Sequence, residues 1–466
     1  MGEPEPRSIG APRRHLAGGA ALSVIADIGP LASAGVLSVV LARVIGPSGN
    51  GAFALLLTLV NVAILVFSLG LGTGITYQVS RGRWPVARAF AQSYRAALLL
   101  GVAGAGAGLG FYALTEDSIM RSVDPPLAAI ALATIPAFMA WQFAVAILLG
   151  SDRYEGYASL QLTSSAVMLF VGAGLAVPYG LTGAVLGLAG SGLVTAAVGA
   201  ALLRRGAHGG IEEPKGPDRA PLREAFRFGL LAWVANILQQ VNYRFDVMIL
   251  GAFAATAEVG VYSVALTLTS IAWVLPHGLQ MVIFPRTASL DAAAEAGAVS
   301  PEESDASVAR GVRHSVMLVV PAGLLVAVLL ALVPLVYGRS FDQTVALGFV
   351  LLPGVLALGV GKVLGSVVAG RGKPRYNLYT GLLVAIITLA LYFTLIPAFG
   401  AWGAAIGSSI SYLATTAIAA AFFRRVLDIP LSDALIPTAA DLRNYPEALE
   451  AFRAHLRSRR ARHRAA

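Results

Sequence analysis

Polar side chains interrupt one apolar stretch, and the spacing of most of them puts them on one side of a helix. Between Phe228 and Gly251 stand Asn236, Gln239, Gln240, Tyr243, Arg244 and Asp246. At about 100° per residue, Asn236, Gln239, Gln240, Tyr243 and Arg244 share a face and Asp246 sits at its edge. Amides with a cation can hold an anionic or polyhydroxylated group, and a nearby carboxylate can gate or exchange a proton. Charges at bilayer depth are costly and tend to turn toward a bundle interior or a watery cavity, so the stretch predicts the wall of a substrate cavity. The competing reading has Asp246 near an interface and Arg244 snorkelling, the pair only anchoring helix ends.

Four further residues carry chemistry at membrane depth. Asp27 lies three residues before Pro30; a proline frees a backbone carbonyl and kinks a helix, so this carboxylate is a candidate ligand for a coupling H⁺ or Na⁺. Its bland alternative is an interfacial Asp. Lys362, in GVLALGVGKVLGSVVAG, is flanked by small residues that let helices approach closely. It can neutralise a substrate phosphate, pair with a carboxylate, or snorkel. His277 and Gln280 follow Pro276 in WVLPHGLQMVIFP and are placed on the same cavity, or form a satisfied buried polar pair.

The elements that must position these groups are membrane helices. With 466 residues, 57% hydrophobic and only 13% charged, the chain is far more apolar than a soluble domain, which carries about 25% charged residues. The long apolar runs separated by short charged loops indicate a helical bundle, not a barrel. At about 20 apolar residues per span, helices are expected near 17–42, 52–77, 96–115, 126–149, 157–177, 181–203, 228–251, 261–285, 314–337, 344–369, 377–396 and 401–423. The expected fold is an all-α integral membrane bundle of twelve spans. Although Ala32-Ser33-Ala34 resembles a cleavage site, the apolar run from Ala17 to Leu41 continues past it, which predicts a retained helix and not a signal peptide.

Charge placement sets the orientation. The net charge of +9 does not point to nucleic acid here, because 29 of the 34 Lys and Arg fall on one side of the predicted bundle. Three fall on the other side (Arg43, Arg121, Arg339), and Arg244 and Lys362 lie within spans. The positive-inside rule then puts both termini in the cytoplasm. With no Cys, disulfides and thiolate metal sites are excluded, and with no helical pair of His four residues apart a zinc enzyme is not supported. No GxxxxGK[ST] sequence occurs, so no nucleotide-driven domain of that type is present. The predicted outer loops are short, the longest spanning roughly Glu116 to Pro125, too small for an enzyme that builds glycans.

The two halves repeat. LARVIGPSGNGAFALLLTL from Leu41 aligns with LGAFAATAEVGVYSVALTL from Leu250 at an offset of 209, and YGLTGAVLG from Tyr179 with FGAWGAAIG from Phe399 at 220. The second offset also pairs Gly150 with Gly370, Arg153 with Lys373, and Arg204-Arg205 with Arg424-Arg425. Two six-helix units in the same orientation follow, as in transporters built from parallel repeats. The expected organisation is a cytoplasmic arm over 1–16, a first lobe over 17–203, a linker over 204–227, a second lobe over 228–425 and a basic tail over 426–466. Pro446, then Leu449, Phe452 and Leu456 at helical spacing, make that tail a candidate amphipathic helix on anionic lipid, or a disordered basic extension.

Several stretches resemble one family. LSVVLARVIGPSGNGAFALLLTLVNVAILVFSLGLGTGITYQVSR (37–81), NYRFDVMILGAFAATAEVGVYSVA, VVAGRGKPRYNLYTGLL (367–383) and LIPAFGAWGAAIGSSISY (395–412) resemble the polysaccharide-transporter, or oligosaccharide-flippase, branch of the MOP exporter superfamily, which also holds the MATE drug exporters. The resemblance spans roughly residues 20–425. It implies a two-lobe alternating-access bundle in the cytoplasmic membrane, not an enzyme, moving a lipid-linked oligosaccharide for cell-surface polysaccharide biosynthesis. The implied partners are that glycan, membrane lipids and polysaccharide assembly enzymes; a cation-coupled drug or metabolite exporter is the alternative.

Overall fold

The computed structural model describes residues 13–207, 222–427, 429–438 and 441, and among them it is helical with no strand. In hydrocarbon, a chain this rich in Ala, Leu, Gly and Val satisfies its backbone groups within helices. In order these are α1 (Arg13–Ser68), α2 (Leu71–Ser80), α3 (Val86–Thr115), α4 (Pro125–Ala133), α5 (Ile135–Gly150), α6 (Tyr154–Ala207), α7 (Leu222–Phe253), α8 (Thr256–Ser270), α9 (Val274–Glu295), α10 (Pro301–Ala331), α11 (Val333–Val336), α12 (Asp342–Gly370), α13 (Arg375–Val426) and α14 (Leu431–Leu435). Among the described residues, eight stretches are long and apolar enough to cross a membrane.

Three of those eight are double. In α1, α6 and α13 the helix is broken by one glycine at positive φ: Gly46 (φ 64°, ψ −174°), Gly180 (φ 58°, ψ −133°) and Gly400 (φ 55°, ψ −130°). Only glycine adopts such backbone angles without a steric cost, so each marks where two membrane helices join with almost no loop. The described residues thus hold eleven apolar spans. The twelfth expected span corresponds to α7, whose polar residues keep it out of the apolar set.

Boundaries depart from the hydropathy reading for identifiable reasons. The span expected at 52–77 breaks at Leu69 and Gly70, both at positive φ. The one expected at 126–149 breaks at Thr134, ahead of Pro136, and the one at 261–285 passes through a 3₁₀ turn at Ile271–Trp273 ahead of Pro276. Proline cannot donate to the preceding turn, which explains the last two. The helix expected from 314 begins at Pro301, where Ser300 and Glu303 form a capping box outside the apolar region that hydropathy detects.

Local geometry carries the repeat. A Cβ at Gly183 would lie 1.9 Å from the Leu175 carbonyl oxygen, and one at Gly403 would lie 2.0 Å from that of Leu395, equivalent atoms at an offset of 220. The turns after α5 and α12 match as well: Asp152 and Gly372 have φ of 56° and 71°, and the next amides, of Arg153 and Lys373, donate to Leu148 and Val368 at 2.9 and 3.3 Å. At the 209 offset the match is reciprocal. A Cβ on Gly51 would meet the Thr256 carbonyl at 2.0 Å, and one on Gly260 would meet the Pro47 carbonyl at 1.9 Å. Equivalent glycines therefore cross each other in contact, as a local twofold requires.

The chain divides into two compact units. The first runs to Val264 and includes Val333–Thr344 and Phe393–Ala404, so it takes in α7 and part of α8. Here α7 packs closely on the α1–α2 junction: Cβ positions at Gly74 and Gly229 lie 2.0 Å from the carbonyls of Ala225 and Gly70, and Trp233 Nε1 donates to the Leu65 carbonyl at 2.8 Å. At the arginine-poor end of the same unit, Arg43 Nε donates to the Val336 carbonyl at 2.8 Å and Arg121 donates to that of Ala254. Both cap the carbonyl ends of helices, where a cation is favoured.

The second unit comprises Ala265–Leu332, Val345–Tyr392 and the chain from Ala405. Its core joins α9, α10, α12 and α13 through Val308, Val312, Val363, Leu364, Val367 and Phe423, against which Leu431 and Leu435 of α14 pack. At its arginine-rich end Arg371 bridges Asp291, at 2.8 Å, and Asp305.

Candidate functional site

On α7 the polar face survives as a face. Asn236, Gln239 and Arg244 are exposed, Gln240 and Tyr243 are half-buried, and Gln239 Nε2 donates to the Tyr243 hydroxyl at 3.1 Å. Toward the start of α7 Ala225 and Gly229 pack on α2 and Trp233 on α1; Gly229 and Trp233 stand seven residues before Asn236 and Gln240 and so share their face, two turns earlier along the helix. Chemically this face offers amide donors and acceptors, a phenol and one guanidinium.

Asp246 is not part of it. Seven residues beyond Gln239, it stands at the edge of that face by helical period, but packing closes over it and it is 0% exposed. There it accepts hydrogen bonds from the Tyr262 hydroxyl and, at 2.8 Å, from the Val247 amide. Its expected place at the edge of the cavity wall is therefore corrected: it ties α7 to α8 inside the first unit. Asn242, also buried, lies on the same inward side.

Lys362 belongs to the second unit, and its ammonium lies 4.3 Å from the centroid of the Trp273 ring, a cation–π contact. Trp273 is held by a hydrogen bond from its Nε1 to the Val355 carbonyl at 3.2 Å and by an edge contact with Tyr412. The aromatic platform thus fixes where the cation stands. The helical backbone of Asp27 and His277 is described, but their side chains lie outside the described set, as do the N-terminal arm to residue 12, the linker over 208–221 and the tail over 442–466.

A cleft of about 550 Å³ opens in the first unit between α2, α5 and the start of α7. Thr73, Thr76, Tyr77, Ser80, Gln142 and Phe228 are among its lining residues, and among the described residues no Lys, Arg, Asp or Glu lines it. Thr76 Oγ1 donates to the Gly72 and Ala146 carbonyls and Ser80 Oγ to that of Tyr77. The Tyr77 and Phe228 rings stack at 3.8 Å and 12°. These residues lie away from the polar cluster that drew the sequence reading. The 220 offset held a clue, since it pairs Gln142 with Lys362.

Outside the spans, the segment after α13 is clasped to α10. Arg313 Nε and Nη2 reach the two carboxylate oxygens of Asp441 at 2.7 and 3.2 Å, and Arg313 Nη1 donates to the Asp433 carbonyl. The bidentate guanidinium, aided by bonds from Thr438, holds the Asp441 carboxyl well below the usual carboxylate range against the opposing effect of burial. Among the described residues no cluster of His, Asp and Glu suits a metal.

The multi-pass helical bundle is similar in fold to solved transporters of the MOP superfamily. The fold is similar to a multidrug resistance MATE family transporter of that superfamily in an inward-facing conformation (TM-score 0.64, 17% identity, 87% of this chain and 98% of that one). It is also similar to the lipid II flippase MurJ in an inward closed conformation (TM-score 0.66, 12% identity, 88% of each chain). Residues 18–291 match the model of the family described as polysaccharide biosynthesis protein, and the chain belongs to that family. Among curated proteins, it is 23% identical over 393 residues to the probable low-salt glycan biosynthesis flippase Agl15 of Haloferax volcanii, covering 83% of this chain and 79% of that protein.

Proposed function

We propose that this protein flips a lipid-linked oligosaccharide across the cytoplasmic membrane by alternating access, serving cell-surface polysaccharide biosynthesis. The observation that carries this reading is the open face of α7: Asn236, Gln239 and Arg244 stay exposed and Gln240 half-exposed, while Asp246 is withdrawn into packing. A face with amides and a net positive charge suits a glycan joined to a polyprenyl pyrophosphate. It is a poor match for a cationic drug, which would need the carboxylate. Family membership and the glycan-flippase relative support the same reading.

The polar head of such a substrate cannot cross hydrocarbon unaided, so a hydrated cationic cavity shields it while the lipid tail stays in the bilayer. Lys362 supplies a second cation for the pyrophosphate, and His277 a further polar contact. Rocking of the repeats about a site near the midplane supplies the movement. Both termini lie on the cytoplasmic side, as the 29 to 3 distribution of Lys and Arg supports. Asp27 is the proposed carrier of H⁺ or Na⁺ coupling, and polysaccharide assembly enzymes are the proposed partners of the loaded transporter.

The test uses purified protein in vesicles containing lipid-linked glycan extracted from the native membrane. Protein-containing vesicles should expose the glycan to an external probe faster than empty ones, and Arg244→Ala should slow this. Equal exposure with and without protein would overturn the proposal.

A further inference from the structure

The geometry points to a carbohydrate subsite in the first unit, centred on Gln142 between α2, α5 and α7; the inference rests on the flippase reading and specifies where the neutral glycan portion is held. At about 550 Å³ the cleft falls within the range of small-ligand sites, ~300–1,000 Å³. Its chemistry is selective. Among the described residues no charged side chain lines it, the nearby Arg81 guanidinium lying over the Tyr77 ring at 5.3 Å, and its hydroxyls, amide and aromatic carbon suit an uncharged polyhydroxylated ring.

Each wall has a part in this. The Thr76 and Ser80 hydroxyl protons are committed to backbone carbonyls, leaving their oxygen lone pairs as acceptors toward the cleft. Gln142 lines the cleft, and its Oε1, turned away from solvent in this conformation, has no hydrogen-bond partner among the described residues; a turn of the side-chain amide brings it to a ligand. A buried unpaired acceptor is costly and gains most from a ligand hydroxyl. Gln78, Gln92 and Gln161 also have such an oxygen; Gln142 differs from them in lining the cleft. Phe228, 45% exposed and stacked by one face on Tyr77, presents its remaining surface to the C–H face of a sugar.

The repeat explains why the two halves differ. At the 220 offset Gln142 corresponds to Lys362, so the same position on equivalent helices carries a neutral amide in one half and a cation in the other. A substrate with a neutral glycan and a charged pyrophosphate has those two needs. The asymmetry therefore specialises one ancestral position for sugar and its mate for phosphate.

The test uses the full-length protein in nanodiscs, with glycan released by mild acid from native lipid-linked oligosaccharide as the probe. Hydrogen exchange should slow over residues 72–80 and 142–149 when this lipid-free glycan is added. Gln142→Ala and Phe228→Ala should each weaken its binding about tenfold without lowering the melting temperature, the scale of one buried hydrogen bond or ring contact. Gln92→Ala, which removes a similar oxygen outside the cleft, should bind as the wild type does. No protection of either segment at saturating glycan, or wild-type binding by Gln142→Ala, would overturn the subsite. If the wild type moves lipid-linked glycan in vesicles while Gln142→Ala does so at the same rate, the subsite falls and the flippase stands. If the wild type moves none, the flippase falls, and the exchange experiment still judges the subsite as a binding site.

Discussion

Arg244 and Asp246 are two residues apart and have opposite fates. One is exposed on the polar face; the other is fully buried against Tyr262. Their substitution should separate function from stability. Asp246→Ala removes the acceptor of two hydrogen bonds in packed surroundings and should lower stability by about 1–3 kcal/mol, read as a lower melting temperature in detergent. Arg244→Ala should leave that temperature unchanged and slow glycan exposure in vesicles. A reversed pattern would mean that the α7 face is structural. Lys362 is constrained differently, since the Trp273 ring positions it; Trp273→Leu should reduce transport as Lys362→Gln does, at preserved folded yield.

Among the elements, the broken helices α6 and α13 are the most constrained. Gly183 and Gly403 have no room for a methyl group, because each lies against the carbonyl of the residue eight positions earlier. Gly183→Ala and Gly403→Ala should therefore destabilise to a similar degree, about 1–3 kcal/mol each for overpacking, measured by thermal unfolding. Clearly unequal losses would show that the repeats do not share this joint. The clasp between α10 and the segment after α13 has a pH signature. Because the folded Asp441 carboxyl titrates well below its ordinary value, its contribution is fully present above about pH 4 and is lost as pH falls toward the folded value. Protease resistance of residues 429–441 should thus be constant from about pH 8 to 5, and Arg313→Ala should abolish it throughout that window.

At the scale of the molecule, the first unit joins helices from both repeats at the arginine-poor end. Arg43 and Arg121 each hold the carbonyl end of a helix in the later half, and Gly51 and Gly260 cross in contact beside them. An alternating-access cycle has to open this junction. The chain contains no Cys, so Ala52→Cys, at a position 2% exposed, gives a single reporter. A membrane-impermeant maleimide should label it slowly in the wild-type background. Labelling should be about tenfold faster with Arg43→Ala and Arg121→Ala together, the effect of about 1.4 kcal/mol of lost capping. Unchanged labelling would remove the two arginines from the junction.

What sequence alone determined here was whatever depends on local pattern. Apolar run length specified the spans, the Lys and Arg distribution set the proposed orientation, and two constant offsets exposed the repeat, because hydropathy and duplication are written residue by residue. The polar face of α7 was legible for the same reason: helical periodicity aligns Asn236, Gln239, Gln240 and Arg244 wherever the helix lies. The burial of Asp246 was not legible, since it depends on α8, whose Tyr262 hydroxyl donates to it. Nor was the Gln142 cleft, which is assembled from three elements far apart in the chain and, among the described residues, has no charged lining residue to mark it. Only tertiary packing decided which polar residues are buried as structure and which are left open for a ligand, because burial is a property of neighbours that a linear pattern does not name.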